Sequence, residues 1–333
     1  MTPDGSDPAT AAVCAIWREV LGVTDITPDD TFTGLGGTSL AIVEVRDLLF
    51  HRYGIRLDIA DLAAATTAAA LGARLDDIGR ATFARRAAAV TPVGTDRDDQ
   101  PAVRVFCLPG SGGSAWSFVP LAARLPPEVG LFAVCQRGLE RRGAAHYRMR
   151  SLVRYATRAI LAEFPTGPYV LLGHSMGGVA ALQVAERLRR RGARVPLVVL
   201  LDAPLPAATA RGLDVPALAP DTEVARVVRS VGQRIRLYAA MATAGLVRRP
   251  VGRQQELFYE IGLRVQNRTR LRPHSGPALV LATEQTAHQL PGWRRLVGGA
   301  QVVRVSGDHM DVVRDGPVLT EVARRIAEAI DRA

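Results

Sequence analysis

The pattern of apolar and polar positions changes character once along the chain, near residue 100. Before that point apolar residues recur at helical spacing. In "ATAAVCAIWREVLGV", Val13, Ile16, Trp17, Val20 and Leu21 fall on one face, the signature of an amphipathic helix. A long loop, "TDITPDDTFTGLGGT", leads to a second helix expected from Ser39 to about Arg52. Leu40, Ile42, Val43, Val45, Leu48 and Leu49 supply its apolar positions. Shorter pieces around 58–63 and 67–78 complete an all-α bundle of four helices over 8–80. Residues 81–100 then lose periodicity, gather Thr, Gly, Asp and Pro, and read as a linker.

Over 101–333 short β-rich runs alternate with amphipathic helices. The runs are "VRVFCL", "LFAVCQ", "YVLLGH", "LVVLLD", "ALVLAT" and "QVVRVS", with helices expected at Ser151–Glu163 and Val179–Arg191. Continuously apolar strands alternating with helices predict a mostly parallel sheet covered on both faces. The rhythm breaks between Ala203 and Pro277, which is helix-like throughout. An insertion of that size is expected to be functional, here a helical lid over about 205–273.

Composition narrows the function classes. Hydrophobic residues make up 48% of the 333 positions, yet no apolar run approaches the roughly 18 residues of a membrane span. The N-terminus "MTPDGSDPAT" lacks the basic-then-apolar order of a signal peptide, so a cytoplasmic protein without membrane partners is expected. Cys14, Cys107 and Cys135 are widely spaced in apolar runs, which favours buried free thiols over a disulfide or metal framework. The net charge of +10 is unevenly divided. Residues 1–80 hold 6 arginines against 12 acids, net −6, and residues 81–333 hold 36 against 20, net +16. The arginines are scattered, with no aromatic-interleaved stripe, so nucleic acid is not the expected partner.

The chemistry gathers around two serines. "YVLLGHSMGGVA" is a strand, then Gly173-His174-Ser175-Met176-Gly177, then a helix. A sharp strand-to-helix turn lifts a serine hydroxyl to the top of a sheet, and glycine neighbours leave room for it. The helix N-terminus behind it favours developing negative charge. Such a hydroxyl needs a histidine to take its proton and an acid to orient that histidine. His309, in the loop "SGDHM" after the last apolar strand, is the candidate base. Asp202 and Glu284, each at a strand end after the serine, are the candidate acids. The backbone N–H of Met176 is one candidate oxyanion donor, and Gly110 or Ser111 of "LPGSGG" supplies the other. That loop lacks the Lys-Ser/Thr of a phosphate-binding loop.

Ser39, behind Gly36-Gly37-Thr38, has a plain reading as a helix N-cap. With its surroundings it has another. "IWREVLGV" followed by "DDTFTGLGGTSLAIVEV" resembles the carrier domains of nonribosomal peptide synthetases, and residues 102–333 resemble the terminal thioesterases of the same systems. The resemblance implies a 4′-phosphopantetheine arm on Ser39, attached by a separate phosphopantetheinyl transferase. It also implies an α/β-hydrolase fold with a Ser175–His309–acid triad, the acid lying after the strand that follows the nucleophile, which favours Asp202. No metal site is implied. With no loading domain ahead of the carrier, the acyl chain is expected from an upstream synthetase module in trans. A polyketide-type carrier–thioesterase, a non-catalytic docking module and a plain serine esterase are the competing expectations.

Overall fold

A computed structural model of the protein describes residues 8–38, 41–42, 44–46, 48–49, 62, 65–75, 89–93, 101–141, 143–217, 231–247, 249, 251–314 and 316–333. The strands are β1 (Val90–Val93), β2 (Val103–Leu108), β3 (Val129–Val134), β4 (Val170–His174), β5 (Val198–Leu201), β6 (Ala278–Ala282) and β7 (Gln301–Arg304). They form one sheet in the order β1-β3-β2-β4-β5-β6-β7. Every pairing is parallel except that of β1 with β3. All six runs read as strands from the sequence are present. β4, β5 and β6 are buried along their whole length, which is why their sequences are apolar without alternation.

The expected linker needs one correction. Val90–Val93 is an edge strand, with Thr91 opposite Ala133 and Pro92 opposite Phe132. Four residues containing a proline give a weak strand signal, and an edge position tolerates the missing N–H.

The helices are α1 (Pro8–Leu21), α2 (Met149–Glu163), α3 (Met176–Arg189), α4 (Val231–Ala242), α5 (Val251–Asn267), α6 (Leu290–Leu296) and α7 (Pro317–Asp331). Two apolar cores flank the sheet. One face buries Val153, Ala156 and Ile160 of α2 with Val179, Val184 and Leu188 of α3. The other buries Phe118 and Leu121 with Leu319, Val322 and Ile326 of α7. Each buried Leu, Ile or Val adds about 1.5–3 kcal/mol of transfer free energy. Together these elements make an α/β-hydrolase fold behind a small N-terminal helical region.

The 205–273 insertion carries α4 and α5, and it is packed onto the body. Leu237, Met241, Leu257, Phe258 and Ile261 are buried in the same core as α2 and α3. Tyr238 and Leu246, expected on the same apolar faces, are exposed. In the N-terminal region Val13, Ile16 and Trp17 of α1 pack with Phe32, Val45, Leu49 and Leu71. The Trp17 and Phe32 rings meet edge-on at 5.0 Å, an arrangement favoured by the ring quadrupoles. Parts of the second helix, including Ser39, lie outside the described residues. α1 lies against α5 of the insertion. Cys14, Cys107 and Cys135 are all buried, and Cys107 and Cys135 are free thiols. Among the described residues no helix is long and apolar enough to cross a membrane.

Candidate active site

Ser175 sits between β4 and α3 with φ 54° and ψ −125°, a strained backbone for a residue with a side chain. The turn holds because Ser175 N–H donates to Leu201 O at 2.9 Å and Gly178 N–H donates to Ser175 O at 3.0 Å. Gly177 is required by closeness: a Cβ there would lie 2.0 Å from Leu108 O. Met176, the candidate oxyanion donor, is the first residue of the 14-residue α3, where N–H groups lack intrahelical partners.

The structure separates the two candidate acids. Asp202 follows β5, is fully buried, and accepts a 2.6 Å hydrogen bond from His309 Nδ1 through its Oδ2. Its Oδ1 accepts from Thr283 N–H at 2.7 Å and from the Thr286 hydroxyl. Burial by itself would raise the Asp202 carboxyl, but these bonds from His309, Thr286 and Thr283 outweigh it and hold it below the usual range. Glu284 is 66% exposed and its nearest cation is Arg304 at 3.9 Å. It makes no bond to His309.

His174, which immediately precedes the nucleophile, has a supporting part. Its Nε2–H donates to His309 O at 2.9 Å, and the two imidazole rings lie 4.6 Å apart. Burial and the nearby His309 push its pKa down to about 3, so the ring is neutral at pH 7. A neutral ring donating through Nε2 pins the His309 backbone without adding charge.

The 109–113 loop runs beside Ser175. A Cβ on Gly110 would lie 3.1 Å from Ser175 Cβ and 3.3 Å from His174 Nδ1, so only glycine lets the loop come this close. A clamp that the sequence did not reveal holds the loop. Gln136 Nε2 donates to Gly110 O at 2.6 Å and to Gly113 O at 3.0 Å. Glu140 accepts from Gln136 N–H at 2.6 Å, from Ala115 N–H at 2.7 Å and from Ser114 Oγ at 2.9 Å. Burial pushes the Glu140 carboxyl above its ordinary range despite these bonds. A polar pair in the "VCQRGLE" stretch was the available signal, but the separation of more than 20 residues from the loop hid its partner.

The insertion covers this loop. Gln254 Nε2 donates to Gly138 O at 2.8 Å and Gln266 Nε2 donates to Pro204 O at 2.9 Å. Twelve helical residues span about 18 Å, so α5 is tied at both ends, to the segments after β3 and after β5. Between those ties Ser111 packs on Gly262, and Ser111 Oγ is buried without a hydrogen-bond partner.

In the N-terminal region the plain reading of Ser39 is taken by its neighbour. Thr38 Oγ1 accepts from Ala41 N–H at 3.2 Å and Thr38 O accepts from Ile42 N–H at 3.0 Å. Thr38 is therefore the N-cap of the second helix. The Gly36 turn (φ 84°) precedes this cap. Ser39 itself lies outside the described residues.

Comparison with known proteins gives consistent matches. Residues 103–330 match the family described as Thioesterase domain, and residues 11–75 match Phosphopantetheine attachment site. A dimodular nonribosomal peptide synthase of Bacillus subtilis is 30% identical over 196 residues, which is 59% of this chain and 8% of that protein. Enterobactin synthase component F of Escherichia coli K12 is 25% identical over 311 residues, 91% of this chain and 23% of that one. The chain thus spans a minor part of these relatives' length. Among solved structures, a four-domain nonribosomal peptide synthetase in its holo form, bound to AMP and glycine, is similar at TM-score 0.55. The identity is 22%, covering 98% of this chain and 26% of that chain. The RedJ thioesterase of Streptomyces coelicolor is similar at TM-score 0.54 and 20% identity, covering 71% and 94%.

Proposed function

The chain belongs to the thioesterase domain family, with a phosphopantetheine attachment domain ahead of it as at the ends of nonribosomal peptide synthetases, and from that premise we propose that it releases acyl or peptidyl chains in natural-product biosynthesis. Ser39 bears the 4′-phosphopantetheine, whose terminal thiol carries the chain as a thioester on a long tether. The glycine turn and the Thr38 cap immediately precede that serine in the chain. An upstream synthetase module supplies the acyl chain, and a phosphopantetheinyl transferase modifies Ser39.

Ser175 Oγ attacks the acyl carbonyl while His309 Nε2 takes its proton, forming a tetrahedral oxyanion. The N–H of Met176 and an N–H of the 110–111 turn stabilise that oxyanion. Asp202 holds His309 by Nδ1–H and stabilises the imidazolium. The carbon–sulfur bond breaks, the thiol leaves with the proton from His309, and an ester on Ser175 remains. Water, or an amine or hydroxyl within the acyl chain, then attacks that ester with His309 again as base. The product is a free acid in the first case and a macrocycle in the second. Joining carrier and thioesterase makes delivery intramolecular, at roughly millimolar effective concentration.

The observation that carries this reading is the His309–Asp202 bond of 2.6 Å behind a serine held at φ 54°. A fluorophosphonate probe should label Ser175 and no other serine. Co-expression with a phosphopantetheinyl transferase should add the mass of one arm, lost in Ser39→Ala. An unlabelled Ser175 would make the domain a docking module, and an unmodified Ser39 would leave a plain esterase.

A further inference from the structure

Away from the site, the outer surface of α2 and α3 carries a concentration of arginine. A groove of about 790 Å³ is walled by Arg150 and Arg154 of α2, by Arg187 of α3 and by Arg190 just after it, and closed by Arg270 and Arg272. The acid lining it, Glu186, is paired with Arg190 at 2.9 Å. A second hollow of about 440 Å³ shares Ser151 and Arg154 with it and adds Arg137 and Arg158, with no acid in its lining. The two make one trough. Arg150, Arg154 and Arg158 are exposed along a single face of α2, spaced one turn apart over about 12 Å.

Two buried side-chain nitrogens of residues lining the trough lack hydrogen-bond partners: Arg187 Nε in the larger part and His146 Nε2 in the smaller. His146 is neutral at pH 7, its pKa pushed down to about 4 by burial and by Arg137, and its Nδ1 is occupied by Ser151 Oγ at 2.9 Å. A buried donor without an acceptor costs about 1–3 kcal/mol.

We propose that this trough docks an acidic helical domain of a partner protein, with carboxylates on one partner helix facing Arg150, Arg154 and Arg158. Charge and shape choose this occupant. The trough is concave between two helices, which suits a helix laid into a groove. Single-stranded nucleic acid calls for aromatic platforms. The one aromatic side chain lining the trough, Tyr155, already bonds to Cys135 O and Arg141. Residues 1–80 of this chain, net −6, illustrate the kind of domain meant. Here α1 of that region lies on α5, so the trough is left for a domain from another protein. The proposal stands apart from the acyl-transfer chemistry.

The test uses the full chain and a labelled alanine–glutamate peptide of about 20 residues, long enough to be helical, with glutamate every fourth position. Binding is read by fluorescence anisotropy at about 0.15 M salt, where distant charges are screened. Reversal of Arg150, Arg154 and Arg158 to Glu should weaken binding at least about tenfold. Reversal of the exposed Arg294, Arg304 and Arg332, which alters net charge equally, should change it less than about twofold. Melting temperatures within a few degrees of the wild type establish that both variants are folded. Equal weakening in the two variants would overturn the proposal. So would preferential binding of an oligothymidylate of the same length that is lost in the trough variant, since the surface would then serve nucleic acid.

Discussion

At the scale of residues, the bonds around Asp202 give the most direct expectations. Asp202→Asn keeps the shape but removes the acceptor that orients His309, and loss of the acid in a Ser-His-Asp triad costs about 10⁴-fold in kcat. Glu284→Gln should leave turnover within about twofold, because an exposed side chain beside Arg304 contributes little. Steady-state kinetics on a soluble acyl-pantetheine thioester ranks the two, and the reverse ranking would move the acid to the β6 end. The clamp on the 109–113 loop gives a second expectation. Gln136→Ala should lower kcat by about 10–100-fold with KM nearly unchanged, as expected when oxyanion donors lose their aim. A loss confined to KM would mean that Gln136 only shapes the binding surface. Ser175, His309 and Asp202 could be named as candidates from the sequence because each follows an apolar strand at a turn marked by Gly, Asp or Pro. His174, Thr286, Gln136 and Glu140 were not, since their partners are distant in the chain and their residue types have many other uses.

At the scale of elements, the six parallel strands were readable as apolar runs, unbroken in β4, β5 and β6 because these are buried along their whole length. β1 was missed because four edge residues with Pro92 resemble a linker. The insertion was read correctly as helical. Its packing was only partly legible: Leu237 and Leu257 point into the core while Tyr238 and Leu246 do not, a distinction that depends on what α4 and α5 lie against. Gln254 and Gln266 tie α5 across the site. Gln254→Ala with Gln266→Ala should loosen this cover and admit water. The ratio of hydrolysed to cyclised product, followed by chromatography on one acyl substrate, should rise by several-fold while fluorophosphonate labelling of Ser175 stays within about twofold. A parallel fall of both would point to general destabilisation instead. On the second helix, Thr38 supplies a cap by accepting from Ala41 N–H through its hydroxyl.

At the scale of the whole molecule, two buried histidines, His174 and His274, and the half-buried His146 set an acid limit. Burial depresses His146 and His274 to about 4 and His174 to about 3. A depressed histidine is neutral in the folded state and protonates freely when unfolded. Its stabilising effect is complete above pH 6.5 and is lost as pH falls from there toward the folded values. For His174 the loss by pH 5 is about 2 kcal/mol. Thermal unfolding should therefore shift several degrees lower at pH 5 than at pH 7, and His174→Gln should flatten that dependence. An unchanged slope would mean that the ring is not buried neutral. The division of the chain into an acidic helical region and a basic α/β body was visible in its charge, whereas the seating of α1 on α5 depends on surfaces that no local pattern announces. The central claim is that Ser39 delivers the acyl chain and Ser175 receives it. Intact-protein mass spectrometry on the acyl-loaded holo chain tests this directly, comparing wild type with Ser175→Ala. The account predicts that the wild type sheds its acyl mass while Ser175→Ala retains it on the arm; release by Ser175→Ala at the wild-type rate would contradict it.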